Sequence, residues 1–232
     1  MSNKPVILLA WGPCFDNQFF SYGMMLSKTY EQAVAKNGGI PLMALDELCA
    51  EEYVSMADGL IIPGAMFETA KPGVPHEARI EAGNYRESFQ SELFRVFFRE
   101  GKPIMGICEG CQKINCCLGG DLSLRLEEER GVSHQNTAHT IRTEKDSLIH
   151  KLWGDEPFVN SNHNYYIRTP GDDIVITAVS DQGNCEAFEH RKKPIFAFQF
   201  HPERMRGEEP NPIDGADGDL LFREFIRICA EK

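Results

Sequence analysis

Ile104-Met105-Gly106-Ile107-Cys108-Glu109-Gly110-Cys111-Gln112 is an apolar run that halts at a cysteine set between glycines and passes into the helix-like Lys113-Ile114-Asn115-Cys116. A strand that turns this tightly into a helix leaves no room for Cβ atoms beside the turn. Glycines on both sides of Cys108 therefore mark a nucleophile elbow at the top of a sheet. The thiol is presented there instead of packed. The first free N–H groups of the following helix lie over it, and their partial positive charge favours the thiolate.

Upstream of the elbow the same alternation repeats. Residues 6–10, 41–45 and 59–62 read as strands, and residues 22–36 and 47–57 as helices, which predicts a parallel sheet covered by helices on both faces. In the first helix Met25, Tyr30, Ala33 and Val34 recur at helical spacing, with Asn37-Gly38-Gly39 as the stop. Residues 63–88, rich in Gly, Pro and charge, read as a long surface loop, and residues 89–99 as an amphipathic helix leading into the elbow strand. Downstream, strands are expected at 137–143, 173–179, 185–190 and 195–200, with helices at 147–153 and 217–230. The second half is thus richer in strand. No repeat or linker interrupts residues 1–232, so one domain is expected.

The strand at 195–200 ends in His201-Pro202-Glu203. On a strand, residues i and i+2 share a face. His201 can then act as general base toward Cys108 while the Glu203 carboxylate fixes the imidazole tautomer. Alone, a His-Pro-Glu tripeptide reads more readily as a surface turn with a satisfied histidine; the elbow reverses that balance.

Composition limits the function classes. Apolar residues make up 42% of the chain, enough for a sizeable core, and 24 Lys and Arg against 35 Asp and Glu give a net charge of −11. A surface of that sign repels phosphate backbones and anionic lipid, so neither nucleic acid nor membrane is an expected partner. The apolar stretch Val6 to Trp11 is too short for a signal-peptide core or a span, and a cytoplasmic protein is expected. Eight cysteines lie scattered through apolar segments. Most read as reduced, buried small hydrophobes, with Cys111, Cys116 and Cys117 on the inner face of the elbow helix. Cys108-x-x-Cys111 could form a redox pair or bind metal, but no second ligand pair stands out, and neither metal nor cofactor is expected.

The elbow together with Phe198-Gln199-Phe200-His201-Pro202-Glu203 resembles the class I glutamine amidotransferases over nearly the whole chain. Within them it is most similar to the gamma-glutamyl-gamma-aminobutyrate hydrolase group, peptidase family C26. Further support lies in Tyr30 to Pro41, in Leu60-Ile61-Ile62-Pro63-Gly64, in Tyr85-Arg86-Glu87 and in Val159-Asn160-Ser161-Asn162-His163. The resemblance implies a flavodoxin-like α/β fold with a central, mostly parallel sheet flanked by helices. It also implies attack by Cys108 on the δ-carbonyl of a glutamine or γ-glutamyl amide, giving a thioester that water hydrolyses to glutamate. His201 would protonate the leaving amine and then activate the water, with Glu203 orienting it.

By the same resemblance, the backbone N–H groups of Gly64 and Glu109 would hold the oxyanion. Gln112, Asn162, His163, Asn164 and Tyr165 would contact the glutamyl moiety of a small γ-glutamyl substrate. The amine half, a γ-aminobutyrate, a polyamine or another amine, would be read by residues 67–87. Three readings follow: a freestanding hydrolase, since the sequence ends at Lys232 without a synthetase domain; a glutaminase subunit feeding ammonia to a separate synthetase; and a non-hydrolytic regulator. A homodimer is an open possibility. Two departures from the group's pattern stand out. Glu109 replaces an arginine common after the nucleophile; its carboxylate would raise the Cys108 pKa, and it reads either as a selector of a cationic amine or, more simply, as a solvated carboxylate in the first helical turn. Ala65 and Met66 replace a second glycine and a polar residue.

Overall fold

The computed structural model describes residues 4–16, 21–64, 76–123, 126–206 and 215–231. In chain order the first half contains β1 (Val6–Leu9), β2 (Gly12–Asp16), β3 (Ser21–Met25), α1 (Lys28–Lys36), β4 (Ile40–Met43), α2 (Ala50–Met56), β5 (Gly59–Ile62), α3 (His76–Glu100), β6 (Ile104–Ile107) and α4 (Glu109–Cys117). There follow β7 (Asp121–Ser123), α5 (Leu126–Arg130), β8 (His134–Thr143), α6 (Leu148–Trp153), β9 (Phe158–His163), β10 (Tyr166–Thr169), β11 (Ile174–Ser180), β12 (Cys185–His190), β13 (Ile195–Phe198) and α7 (Gly218–Ala230).

Among the described residues the central sheet has nine strands in the order β4-β1-β5-β6-β13-β12-β11-β8-β9. The β4, β1, β5, β6 and β13 neighbours are all parallel. From β13 onward the pairings are antiparallel, and these are the strands of the strand-rich second half. The parallel strands are buried on both faces, as helices on each side require. Leu8, Leu60, Ile62 and Ile104 pack with Phe89, Leu93 and Phe97 of α3 and Ile114 of α4. Ile7, Leu9, Ile61, Met105 and Ile107 face the other way, against Ala33 and Val34 of α1 and Leu221, Phe222 and Phe225 of α7. Each such side chain contributes about 1.5–3 kcal/mol on burial. Among the described residues no helix is long and apolar enough to cross a membrane.

Three expectations are corrected. Residues 21–25 form strand β3, antiparallel to β2, and α1 starts only at Lys28, where the Ser27 hydroxyl caps the Thr29 N–H. The stop is as expected, with Asn37 at the C-cap and Gly38 at φ +100°. The long loop ends much earlier than residue 88, because α3 begins at His76. Past Pro75 the chain offers Glu77, Ala78, Arg79, Glu81 and Ala82, strong helix formers without a proline among them. Residues 65–75, including Ala65, Met66 and Phe67, lie outside the described residues. Finally, Cys116 and Cys117 are exposed while Cys111 is buried, since α4 turns its Cys111 and Ile114 face inward.

Candidate active site

Cys108 stands between β6 and α4 with φ 54° and ψ −107°, a left-handed backbone that a non-glycine residue holds only under strain of about 1–3 kcal/mol. The flanking glycines have a steric cause. A Cβ on Gly106 would lie 2.7 Å from the Gly110 carbonyl oxygen, and one on Gly110 would lie 1.9 Å from that of Ile62. The elbow is therefore built from backbone pressed on backbone. Glu109, the first residue of α4, has no intrahelical acceptor for its N–H.

His201 arrives on the neighbouring strand. β13 pairs with β6 in parallel, Phe198 opposite Ile107, so the chain that continues past β13 reaches the elbow. The strand stops at Phe198, and His201 heads a 3-10 turn over Pro202–Arg204. The expected sharing of one strand face by His201 and Glu203 is thus replaced by that tight turn, which Pro202 pre-sets. The outcome is the same contact: His201 Nδ1 donates to Glu203 Oε1 at 2.8 Å, with both side chains buried. His201 Nε2 is buried without a hydrogen-bond partner. The point where a Gly64 side chain would begin is 3.0 Å from His201 Cε1 and 3.2 Å from Cys108 Cβ, so Gly64, imidazole and nucleophile meet at one place. Burial lowers the His201 pKa, but the Glu203 carboxylate and the Cys108 sulfur outweigh it and raise the pKa to about 10.

Asn160 was not singled out from the sequence, although it lies within the flagged 159–163 segment. Its side chain donates to the His201 carbonyl at 2.9 Å and accepts from the His201 N–H at 2.8 Å, a clamp on the backbone of the base. Asn160→Ala should lower kcat by about 10–100-fold through misplacement of the imidazole. KM should change little, and steady-state kinetics on folded protein check the split.

A cleft of about 370 Å³ opens on Cys108. Gln112, Asn162, His163, Asn164 and Tyr165 line it, together with Glu87, Glu109 and Lys113. Their polar atoms are largely committed to one another. Gln112 donates from Nε2 to the Tyr165 carbonyl at 3.1 Å and to Gln199 Oε1 at 3.0 Å. The Asn162 carbonyl is 3.8 Å from Cys108 Sγ, and Asn162 Oδ1 accepts from the Asn136 N–H at 3.3 Å. His163 Nδ1 donates to the Tyr165 carbonyl at 2.8 Å, and burial pushes the pKa of His163 down to about 4, so the ring is neutral. The Asn164 side chain accepts from Gln135.

Two placements differ from expectation. The Gly64 N–H donates to the Tyr30 hydroxyl at 3.0 Å, so it is already spent and is not aimed at an oxyanion. Burial pushes the Tyr30 pKa well up, which keeps the phenol neutral. Glu109 is not a bare neighbour of the thiol: its carboxylate is 39% exposed, as a first-turn helix carboxylate can be, and it is also ion-paired. Arg86 pairs with it at 2.6 Å and also donates to the Gly64 carbonyl at 3.1 Å, tying the residue after the nucleophile to the end of the β5 segment. The Lys113 ammonium pairs with Glu87. The two acids of the cleft are therefore matched by two largely buried cations.

The family model for peptidase C26 matches residues 17–203. A Schizosaccharomyces pombe protein described as a glutamine amidotransferase is 27% identical over 236 residues, covering 96% of this chain and 85% of that one. The glutamine-hydrolysing GMP synthase subunit of Picrophilus torridus is 31% identical over 178 residues, covering 77% of this chain and 80% of that one. In three dimensions, a Thermoplasma acidophilum protein described as a GMP synthase subunit superposes with a TM-score of 0.70 at 22% identity, over 99% of this chain and 96% of that one.

Proposed function

We propose, on the premise that this chain belongs to the peptidase C26 family and so to the class I glutamine amidotransferases, that it hydrolyses the γ-glutamyl amide bond of a γ-glutamyl amine. Its kind, a cysteine-dependent amidohydrolase, goes with the family. The substrate rests on one observation above the others: Cys108, with the buried His201–Glu203 pair at the same elbow, opens on a cleft of about 370 Å³. That volume is in the range that encloses a whole small molecule, both halves of a γ-glutamyl amine included.

In this reading the thiolate of Cys108 attacks the δ-carbonyl while His201 carries the proton. The imidazolium then protonates the departing nitrogen, and the same imidazole draws a proton from water to break the thioester. Glu203 keeps Nδ1 protonated so that Nε2 always faces the chemistry. The Glu109 N–H stabilises the oxyanion; a donor of this type supplies about 3 kcal/mol of barrier lowering. Gly64 joins it only if the Tyr30 hydroxyl gives way. The Asn162 carbonyl beside Cys108 suits an ammonium group on the glutamyl half, and Lys113 suits its carboxylate once it releases Glu87.

A second reading is favoured by the likeness to the glutamine-hydrolysing GMP synthase chain, namely a glutaminase that passes ammonia to a separate synthetase. The regulator reading is opposed by the intact base and its carboxylate. Purified protein incubated with γ-glutamyl-γ-aminobutyrate, γ-glutamyl polyamines and glutamine separates these. We expect glutamate release from at least one γ-glutamyl amine with kcat/KM at least tenfold above that for glutamine. Activity on glutamine alone would shift the assignment to the second reading, and no release from any of them would overturn both.

A further inference from the structure

We propose that His134, His163 and Glu186 bind a divalent transition cation of the zinc class behind the wall of the cleft. One ligand atom from each lies within 4.8 Å of the other two, and all three residues are buried. His134 Nδ1 is 3.0 Å from His163 Nε2, and Glu186 Oε1 is 3.4 Å from His134 Nδ1. His139 adds a fourth group, its Nε2 being 3.3 Å from Glu186 Oε1.

Three features separate this from an ordinary buried hydrogen-bond network. Glu186 is fully buried, yet neither carboxylate oxygen has a hydrogen-bond partner, and both nitrogens of His139 lack one too. The His139 and His134 contacts at 3.3 and 3.4 Å do not have hydrogen-bond geometry, so the buried carboxylate is answered only by a protonated imidazole or by a bound cation. The tautomer of His163 is set by its donation from Nδ1 to the Tyr165 carbonyl, which leaves the Nε2 lone pair facing His134 and Glu186. Imidazole nitrogens with one carboxylate oxygen are the donor set that zinc accepts. Two nitrogens on one tetrahedral zinc stand about 3.3 Å apart, so the 3.0 Å pair needs to open only slightly.

The third feature is where the ligands sit. His134 opens β8 and His163 closes β9, directly opposite one another, while Glu186 comes from β12. β11 lies between β12 and β8, but it pairs with β8 only at residues 141–143. The first half of β8 is therefore unpaired on that side, and an ion held by His134 and Glu186 would join it to β12 where main-chain bonds do not. His163 also lines the cleft, one residue from the Asn162 carbonyl beside Cys108. The ion would brace the wall that positions substrate without touching the reacting atoms.

The test uses the full chain with Cys108→Ala, which removes the reactive thiol as a competing ligand. Zinc(II) is added in excess, unbound metal is dialysed away, and metal is counted by mass spectrometry. We expect about one equivalent per chain, a rise in Tm of several degrees on zinc addition, and a cobalt(II) derivative with a visible d–d band but no thiolate charge-transfer band. Glu186→Gln should cut the bound metal at least tenfold. Should that variant fail to fold, the cobalt spectrum and the zinc-dependent Tm of the parent chain still decide. Metal below a tenth of an equivalent, a Tm unmoved by zinc, or a charge-transfer band from the exposed Cys116 and Cys117 would each overturn the assignment.

Discussion

Cys108→Ala abolishes glutamate release, with kcat falling by about 10⁴-fold or more, while the protein stays folded. Removal of a nucleophile takes away the covalent route entirely, and what remains is the small contribution of binding and oxyanion contacts. Folding should survive because alanine keeps the Cβ and loses only a sulfur that makes a weak contact of 3.8 Å with the Asn162 carbonyl and borders the His201 ring. Alanine also tolerates the elbow backbone no worse than cysteine does. Mass spectrometry of quenched reactions provides the sharper check. The parent chain should carry a γ-glutamyl adduct on Cys108 and the variant none. Turnover by the variant at a tenth of the parent rate would remove Cys108 from the mechanism.

The second large effect is expected at Glu203. In Glu203→Gln the charge facing His201 Nδ1 at 2.8 Å is gone, while the shape of the pocket persists. A glutamine can present either its oxygen or its amide, so the ring is free to adopt the wrong tautomer, and kcat should drop by about 10³–10⁴-fold. The pH profile gives the sign independently. Glu203 and Cys108 raise His201 to about 10, so the imidazolium that protonates the leaving amine persists far into the alkaline range. Without the carboxylate, burial is the main influence left, and it acts downward. The alkaline limb of kcat/KM should therefore move to lower pH by more than one unit. The same coupling stabilises the fold fully below pH 6.5 and fades as pH rises toward 10, so the variant should lose more stability at neutral than at strongly alkaline pH. An alkaline limb that stays in place would show that Glu203 does not govern the base.

Legibility from sequence followed the range of the forces involved. The elbow could be read because its constraint is local: Gly106 and Gly110 are excluded from bearing side chains by atoms of the same turn and of the adjoining β5. The sequence puts His201 and Glu203 on one strand face, but it is a tight turn that joins them, since nothing local says that β13 ends at Phe198. Residues 21–25 carry an apolar spacing that suits helix as well as strand, and pairing with β2 decides for strand. Arg86 with Glu109, and Tyr30 with Gly64, are partnerships between distant segments that no periodicity encodes. The same holds for His134, His163 and Glu186: His163 reads from the sequence as a glutamyl contact, and nothing in the sequence joins it to the other two. Their convergence depends on β8 drawing away from β11 over its first half.

The adjacency of β6 and β13 carries one more implication. The strand that bears the nucleophile and the strand that delivers its base are hydrogen-bonded neighbours, yet β13 is the last strand in chain order among the described residues. While the polypeptide emerges from the ribosome, the thiol waits at an open sheet edge with no proton acceptor beside it. Molecules arrested part-way through refolding would be silent for the same reason. Recovered turnover would then time the arrival of a single central strand, a slow non-local event, and not the earlier collapse of the apolar interior.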